Sequence, residues 1–208
     1  MTARGPWVIF EDETGTDLRP PRARTWGRRG CIPVVRVRGG SRGKASIAGL
    51  VRYRPGSRSR LLYRLKVTRR RPGDRASFSW QEYRDLLVGA HHQFNDPIVV
   101  IWDNLNVHMA EGMKEFIEAN QSWLQVVHLP TYALDLNPTE GIWSLLKRSL
   151  GNRATANLDD LAATIKRRLK KLQYRPSVID SVLAETDSTW HPPDRHHEFN
   201  RSTSSSAG

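Results

Sequence analysis

The sequence predicts an α/β fold in which a mixed sheet, antiparallel strands followed by parallel strands, is flanked by helices. Two observations support this prediction. Short β-branched and aromatic runs dominate the chain up to Val67, whereas segments of helical periodicity alternate with apolar strand-like runs from Ser79 onward. Consecutive strands favour antiparallel pairing, and the later alternation favours parallel strands joined by helices.

The first part of the chain supplies the antiparallel strands. Its β-branched and aromatic runs predict strands at residues 7–10, 34–37, 44–53 and 60–67. The first strand ends in the acidic cluster Glu11-Asp12-Glu13, so it delivers carboxylates at its end. The last two flank Pro55-Gly56-Ser57, which predicts a hairpin. Residues 18–43 are rich in Pro, Gly and Arg and are otherwise predicted to be loop.

The second part alternates helices with strands. Ser79 and Glu82 form a capping-box signature, which predicts an amphipathic helix that ends near Gln93. The unbroken apolar run 97–102 is typical of a strand buried on both faces, and it ends at Asp103. The other predicted elements are a helix at 110–120, a strand at 124–129, a helix with Asn137 at its N-cap and Pro138 at its first position, and a helix at 159–173.

These elements form one predicted domain, residues 1–175, followed by a C-terminal extension, residues 176–208. A chain of 208 residues with 38% hydrophobic content buries one core, and a second full domain would leave too few residues for it. The extension is polar toward its end, where Ser-Thr-Ser-Ser-Ser occurs, so we expect that end to be disordered.

The composition favours a polyanionic partner. Lysine and arginine number 33 against 21 acidic residues, a formal net charge of +12, which favours nucleic acid. No apolar stretch reaches the roughly 18 to 20 residues that span a bilayer, and no secretory signal opens the chain, so we expect no membrane partner. The single cysteine, Cys31, excludes an internal disulfide and fits a reducing compartment. We therefore expect a cytoplasmic protein associated with the nucleoid.

Three carboxylates stand at predicted element ends: Asp12 after the first strand, Asp103 after the buried strand and Glu140 in the first turn of a helix. Strand ends of such sheets are where sites collect. Phosphodiester cleavage by two metal ions needs hard oxygen ligands gathered around one point, and carboxylates are natural ligands of this kind. The residues alone leave a capping role for Glu140 open. The rival ligands are Glu11, Glu13 and Asp135.

The predicted order of elements resembles the ribonuclease H-like fold, and three sequence blocks resemble the motifs of mariner-like insertion-sequence transposases. The blocks are Phe10-Glu11-Asp12-Glu13-Thr14-Gly15, Trp102-Asp103-Asn104-Leu105-Asn106-Val107-His108 and Leu136-Asn137-Pro138-Thr139-Glu140-Gly141-Ile142-Trp143. They occur in the family's order, and the separation 140 − 103 = 37 is compatible with the family. Trp26 and Gly30 resemble a further signature, so the resemblance spans Trp7 to Leu150.

The resemblance implies a DNA transposase catalytic domain of the DDE superfamily, an endonuclease that cuts DNA and transfers the freed 3′-hydroxyl to target DNA. It implies that Asp12, Asp103 and Glu140 are the catalytic ligands of two Mg²⁺ or Mn²⁺ ions. Further residues are expected to support these ligands or to contact DNA, with a solvated surface as the alternative for the basic ones. They are Asn104, Asn106, His108, Trp26, Arg64, Lys147 and Arg167.

Transposases of this family carry helix-turn-helix modules ahead of the catalytic domain, whereas the first predicted strand begins at about Trp7. We expect a separate helix-turn-helix subunit or reading frame to supply recognition of the element's ends, and we consider a homodimer as the assembly. Two alternatives stay open. One is a catalytically idle DNA-binding remnant of a transposase, and the other is a ribonuclease H or junction-resolving nuclease that acts on other substrates.

Overall fold

Strands and helices follow one another along most of the chain. The structure is a computed structural model that describes residues 5–24, 26, 28–30, 34, 36, 43–69, 75, 77–130 and 136–186. The elements of these residues are β1 (Trp7–Thr16), β2 (Lys44–Tyr53), β3 (Arg60–Thr68), α1 (Trp80–Phe94), β4 (Ile98–Trp102), α2 (Glu111–Ala119), β5 (Leu124–His128), α3 (Thr139–Leu150), α4 (Leu158–Gln173) and α5 (Pro176–Glu185).

One sheet contains all five of these strands, in the order β3-β2-β1-β4-β5. Strand β1 is antiparallel to β2, and β2 is antiparallel to β3. On its other side β1 is parallel to β4, which in turn is parallel to β5. The predicted mixed sheet, antiparallel strands followed by parallel strands and flanked by helices, is therefore confirmed.

Strand β1 is longer than the sequence predicted, and this changes the setting of Asp12. Its ladder with β4 covers only Trp7 to Phe10, but its ladder with β2 continues to Thr16. Asp12 therefore pairs with Gly49 inside the antiparallel half of the sheet instead of following the strand. The acidic cluster still lies just beyond the parallel ladder, because β2 extends β1 past the end of β4.

The two faces of the sheet bury two separate apolar clusters. Alternate residues of β1 point to opposite faces, so Trp7 and Ile9 pack with α1 and α2, while Val8 and Phe10 face the other way. On that second face Trp143 of α3 and Ile165 of α4 belong to a cluster with Ile47 of β2. The helices on both faces hold β1 at the centre of the fold.

Helix α1 begins with the predicted capping box. The Ser79 hydroxyl accepts a hydrogen bond from the Glu82 amide at 3.4 Å, and the Glu82 carboxylate accepts one from the Ser79 amide at 2.8 Å. The helix ends at Phe94, one residue beyond the predicted end, and Asn95 follows it in the left-handed conformation with φ 51°. Local sequence signals therefore fix this helix at both ends.

Helix α3 starts at Thr139, with Pro138 at the N-cap, one residue later than predicted. The capping contact predicted for Asn137 is nonetheless present, because its side-chain oxygen accepts a hydrogen bond from the Thr139 amide at 3.0 Å. The side-chain nitrogen of the same buried residue donates to the carbonyl of Glu11 at 2.9 Å. Thr139 donates its hydroxyl to the Phe10 carbonyl at 3.2 Å. These contacts fasten the start of α3 to the backbone of β1.

Helix α5 was not predicted from the sequence. It opens with Pro176 and buries Ile179 and Val182 in the same apolar cluster as α3 and α4. A Cβ atom built on Gly141 would lie 2.3 Å from Val182, so the glycine permits the close approach of α3 and α5. Helix α5 lies within the predicted C-terminal extension, residues 176–208. The predicted domain boundary at residue 175 remains a prediction.

Two other predictions concern residues beyond the described ranges. Residues 35 and 37 of the predicted strand at 34–37 lie outside the described residues, whereas Val34 and Arg36 are described and belong to no strand. The predicted disorder at the end of the chain also falls outside the described residues. A search of the described helices finds none that is both long and apolar enough to cross a membrane.

Candidate active site

Two of the three predicted acids line one cleft. Asp12 in the middle of β1 and Glu140 in the first turn of α3 both face a cavity of about 740 Å³. Its other lining residues are Glu13, Thr14, Pro21, Arg22, Ala23, Arg24, Trp143, Ser144, Lys147 and Arg148. Asp103 follows the last residue of β4 and does not line this cavity. The cleft therefore combines acidic side chains with the basic side chains of Arg22, Arg24, Lys147 and Arg148, which are called the basic rim below.

Asp12 is the electrostatic centre of the three acids. Burial and the neighbouring Glu11 charge raise its pKa to about 7, with smaller contributions from Glu140 and Asp103. Its Oδ2 atom accepts a 2.9 Å hydrogen bond from the indole nitrogen of Trp143. Because the charges of Glu140 and Asp103 both act on Asp12, the three carboxylates share one electrostatic environment.

Asp103 is oriented by donors from the turn that follows it. Its Oδ1 atom accepts from the Leu105 amide at 3.2 Å and lies 3.2 Å from Nδ1 of His108. Burial alone would raise the pKa of Asp103, but the hydrogen bonds from His108 and Leu105 outweigh it and lower the pKa. Asp103 is therefore held as a carboxylate in a defined orientation.

His108 is buried between two carboxylates. Its Nε2 atom lies 3.1 Å from Oε2 of Glu11, an ion-pair distance at which the atoms are not aligned as a hydrogen bond. Burial alone would lower the pKa of His108, but Asp103 and Glu11 outweigh it and raise the pKa to about 10. The imidazolium form is therefore favoured, and it compensates the buried Glu11 charge.

Glu13 has a partner on the opposite face of β1 from Asp12. The hydroxyl of Tyr83 donates to Oε2 of Glu13 at 2.9 Å. Burial, followed by the charges of Glu11 and Glu13, raises the pKa of Tyr83, so this hydroxyl stays protonated. The alternation along β1 thus directs Asp12 toward α3 while Glu11 and Glu13 are engaged from the side of α1.

The acidic side chains of the site are donors of the type that a divalent cation binds. Among the described residues, no three His, Cys, Asp or Glu side chains are arranged as a metal-binding group. The chemistry of the donors nevertheless fits a hard cation, since Asp12, Asp103 and Glu140 supply carboxylate oxygens. Burial, the charge of Glu11 and, to a smaller extent, the charges of Glu140 and Asp103 raise the pKa of Asp12, and a bound cation would offset these effects.

The other predicted site residues are dispersed. Lys147 lines the cleft. Asn104 lies next to Asp103 and donates to the Leu129 carbonyl at 3.1 Å, which joins the ends of β4 and β5. Asn106 is exposed. Trp26 is 100% exposed on the segment that follows the cleft-lining Arg24.

Two predicted basic residues lie outside the cleft lining. Arg64 donates to the Glu82 carbonyl at 3.1 Å, beside the start of α1. Arg167 lies on α4, where its guanidinium is 3.5 Å from the Thr164 hydroxyl. Asp135, the rival third acid, falls outside the described residues.

Sequence analysis missed two side chains that organise the site. Strand alternation places Glu11 on the same face as Ile9, and this pattern predicts a buried carboxylate that needs a partner. Trp143 follows Glu140 by three residues, and the helical repeat predicts that the two share a face. The arginines at 22 and 24 were treated only as part of a loop, because nothing local indicates that the segment lies beside the cleft.

The sequence from β1 into α4 matches a known protein family. A family profile described as DDE superfamily endonuclease matches residues 7–162. The chain therefore belongs to the DDE superfamily endonuclease family. This membership confirms the family that the three sequence blocks resembled.

Solved structures of the Mos1 transposase are similar to this chain. The paired-end complex with left transposon end has a TM-score of 0.52 and 15% identity, covering 88% of this chain and 56% of that one. The Mos1 mariner paired end complex with Mg has a TM-score of 0.58 and 14% identity, covering 86% and 53%. For the complex with Mn the values are 0.53 and 15%, covering 88% and 56%.

The likeness to Mos1 transposase is one of fold, because the identities are low. The chain spans a little more than half the length of these Mos1 chains. No curated protein matches the sequence. The ribonuclease H-like arrangement predicted from the order of elements is thus confirmed at the level of the fold.

Proposed function

We propose that the chain is the catalytic domain of a DNA transposase, which cuts DNA strands and joins a freed 3′-hydroxyl to target DNA. Asp12, Asp103 and Glu140 are the catalytic residues, and they bind two Mg²⁺ or Mn²⁺ ions. The observation that carries the proposal is the cleft in which Asp12 and Glu140 lie beside basic side chains. Membership of the endonuclease family supports it, as do the Mos1 complexes with Mg and Mn.

Each acid has a defined task in this proposal. The ions, when bound, activate a water or 3′-hydroxyl oxygen and stabilise the leaving oxygen of the phosphodiester. Trp143 orients Asp12 by its hydrogen bond, and the Leu105 amide orients Asp103. Glu140 is presented by the first turn of α3, which is fastened to β1. Because protons and cations compete for carboxylates, the raised pKa of Asp12 would make proton uptake at this side chain compete with binding of a cation near neutral pH.

The rim of the cleft supplies the contacts to the DNA backbone. Arg22, Arg24, Lys147 and Arg148 line the same cavity as Asp12. Their charges neutralise phosphates, position the strand over the acids and carry no base preference. Recognition of the element's ends, in this proposal, comes from a helix-turn-helix module that is a separate segment or subunit, and the assembly is a homodimer. The Mos1 chains, which extend well beyond the matched part, support such an additional module.

Nicking of supercoiled plasmid DNA and transfer of a 3′-hydroxyl end tests the proposal, because these substrates need no recognised element end. The full chain is compared with Asp103→Asn and Glu140→Gln in Mg²⁺, in Mn²⁺ and in chelator. Glu118→Gln is the matched control, since it neutralises an exposed acid on α2. We expect metal-dependent nicking that both site variants abolish and the control retains.

The outcomes separate the alternatives. Nicking in chelator, or full activity of both site variants, would overturn the assignment of the acids. Salt-sensitive DNA binding without any nicking would favour an idle remnant. Preferential cleavage of an RNA–DNA hybrid over duplex DNA would favour a ribonuclease H activity instead.

A further inference from the structure

The buried Glu11 has no task in the proposed chemistry. It precedes Asp12 in β1, is 1% exposed and points to the opposite face of the sheet. A carboxylate in such a place carries a large desolvation cost unless a cation compensates it. The partner of Glu11 shows what this side chain holds in place.

The partner is His108, whose ring is fixed from several sides. Nε2 lies 3.1 Å from Oε2 of Glu11. The imidazole ring stacks on Trp102, with ring centroids 4.2 Å apart and an angle of 5° between the planes. The Tyr83 ring packs against it edge to face, with centroids 4.9 Å apart. Trp102 is the last residue of β4 and Asp103 follows it, so the stacking holds the imidazole beside the end of that strand.

The other ring nitrogen faces Asp103. Nδ1 lies 3.2 Å from Oδ1 of Asp103 and 3.1 Å from its backbone carbonyl. The Leu105 amide donates to the same Oδ1 atom. The Leu105 hydrogen bond and the nearby Nδ1 atom of His108 both act on Oδ1 of Asp103, so this oxygen is held at the turn after β4. His108 therefore joins Asp103 to a buried charge on the neighbouring strand.

We propose that Glu11 and His108 are positioning residues that set the carboxylate of Asp103 in its metal-binding orientation before metal and DNA arrive. The inference rests on the proposed function, because it takes Asp103 as a metal ligand. Glu11 acts through His108 and touches no substrate. The pair links the central strand β1 to the end of β4, so that the orientation of Asp103 is tied to the strand that carries Asp12.

Affinity for Mn²⁺, measured on the full chain without DNA by calorimetry or by the electron paramagnetic resonance of free Mn²⁺, tests this inference. His108→Gln removes the bridge, and Glu11→Gln removes its anchoring charge with little change of shape. His91→Gln is the matched control. The His91 ring stacks on Trp123 with centroids 4.1 Å apart, and this pair lies away from the site. Loss of groups that orient a metal ligand weakens metal binding by about 10- to 100-fold. We expect that loss in both site variants and none in the control.

Thermal unfolding and DNA affinity are measured on the same samples. Retained folding and DNA binding together with weakened Mn²⁺ binding supports positioning, whereas wild-type Mn²⁺ affinity in a folded His108→Gln or Glu11→Gln variant overturns it. If His108→Gln does not fold, Glu11→Gln decides alone. A double variant no weaker in Mn²⁺ binding than His108→Gln alone is expected, because Glu11 acts through the histidine.

The Asp103→Asn variant distinguishes failure of the proposed function from failure of the positioning role of Glu11 and His108. If the wild type binds no Mn²⁺, or if Asp103→Asn binds it as well as the wild type, the proposed function fails and this inference falls with it. If Asp103→Asn loses Mn²⁺ binding and neither positioning variant does, the proposed function stands and this inference alone fails.

Discussion

The indole nitrogen of Trp143 donates a 2.9 Å hydrogen bond to Oδ2 of Asp12 across a sequence separation of 131 residues. The same ring packs over Gly49, the residue paired with Asp12 on β2. One side chain of α3 thus both covers the sheet and orients the carboxylate of its central strand. Its hydrogen bond and its packing can be changed separately.

Trp143→Phe removes the hydrogen bond and keeps an aromatic ring on Gly49. A hydrogen bond to a charged group contributes about 1.5–3 kcal/mol, so we expect plasmid nicking in Mn²⁺ to slow by about ten- to a hundredfold. Single-turnover nicking rates measure the effect. Trp123→Phe is the control, because its indole donates to Asn120 away from the cleft. Equal rates for the two variants would show that Trp143 does not orient Asp12 for the reaction.

Gly49→Ala tests the packing of Trp143. The added Cβ would lie 2.5 Å from the indole ring, and overpacking of this kind lowers the free energy of unfolding by about 1–3 kcal/mol. In Gly89→Ala the Cβ meets nothing within 4 Å on helix α1, so the free energy of unfolding is expected to rise by about 0.8–1 kcal/mol. Urea unfolding compares them, and a stabilised Gly49→Ala would contradict the observed contact.

Glu82, in the capping box of α1, makes the free energy of unfolding vary with pH in the acidic range. Burial alone would raise the pKa of Glu82, but hydrogen bonds from Lys66 and Ser79 outweigh it and lower the pKa below 4.5. A lowered pKa in the folded state means that the stabilisation is present above pH 4.5 and is lost as the pH falls through the folded pKa. The free energy of unfolding of the wild type should exceed that of Glu82→Gln by about 0.3–1 kcal/mol at neutral pH, because glutamine can keep the cap but loses the charge that faces Lys66 and the helix N-terminus.

Urea unfolding across this acidic range measures that difference. It should shrink toward zero at the lowest pH, where the carboxyl group of the wild type is protonated in the folded state as well. A difference that stays constant with pH would mean that the charge of Glu82 does not contribute to the cap.

Lys147→Ala tests the basic rim. If the ammonium group neutralises one phosphate, the slope of log affinity against log salt concentration falls by about one, and affinity drops for every DNA sequence. Fluorescence anisotropy of a labelled duplex over a salt series gives the slope. Lys114→Ala is the control, because Lys114 pairs with Glu111 on α2 and does not line the cleft. Identical slopes for both variants would remove Lys147 from the DNA interface.

Local signals predicted much of the fold. The capping residues of α1 and the apolar run of β4 are complete within their own segments, so both elements were placed to within a residue or two. The length of β1 depends on pairing with β2, some 35 residues later, and no local signal carries it. Helix α5 is short, and its two buried residues give a weak helical pattern without the cluster that they join.

The candidate site divides in the same way. Asp12, Asp103 and Glu140 stand in recognisable blocks, so they could be nominated from the sequence. The link from Glu11 through His108 to Asp103 could not, because it depends on the turn after β4 bringing the imidazole against the neighbouring strand. The second contact of Asn137, its hydrogen bond to the Glu11 carbonyl on β1, could not be predicted for the same reason.

The attachment of Asn137 and Thr139 to β1 has a consequence for how this chain tolerates change. The place of Glu140 relative to Asp12 is set by where α3 docks on the backbone of β1. A substitution of Asn137 or Thr139 would therefore move the third acid away from the first, although neither side chain is itself an acid.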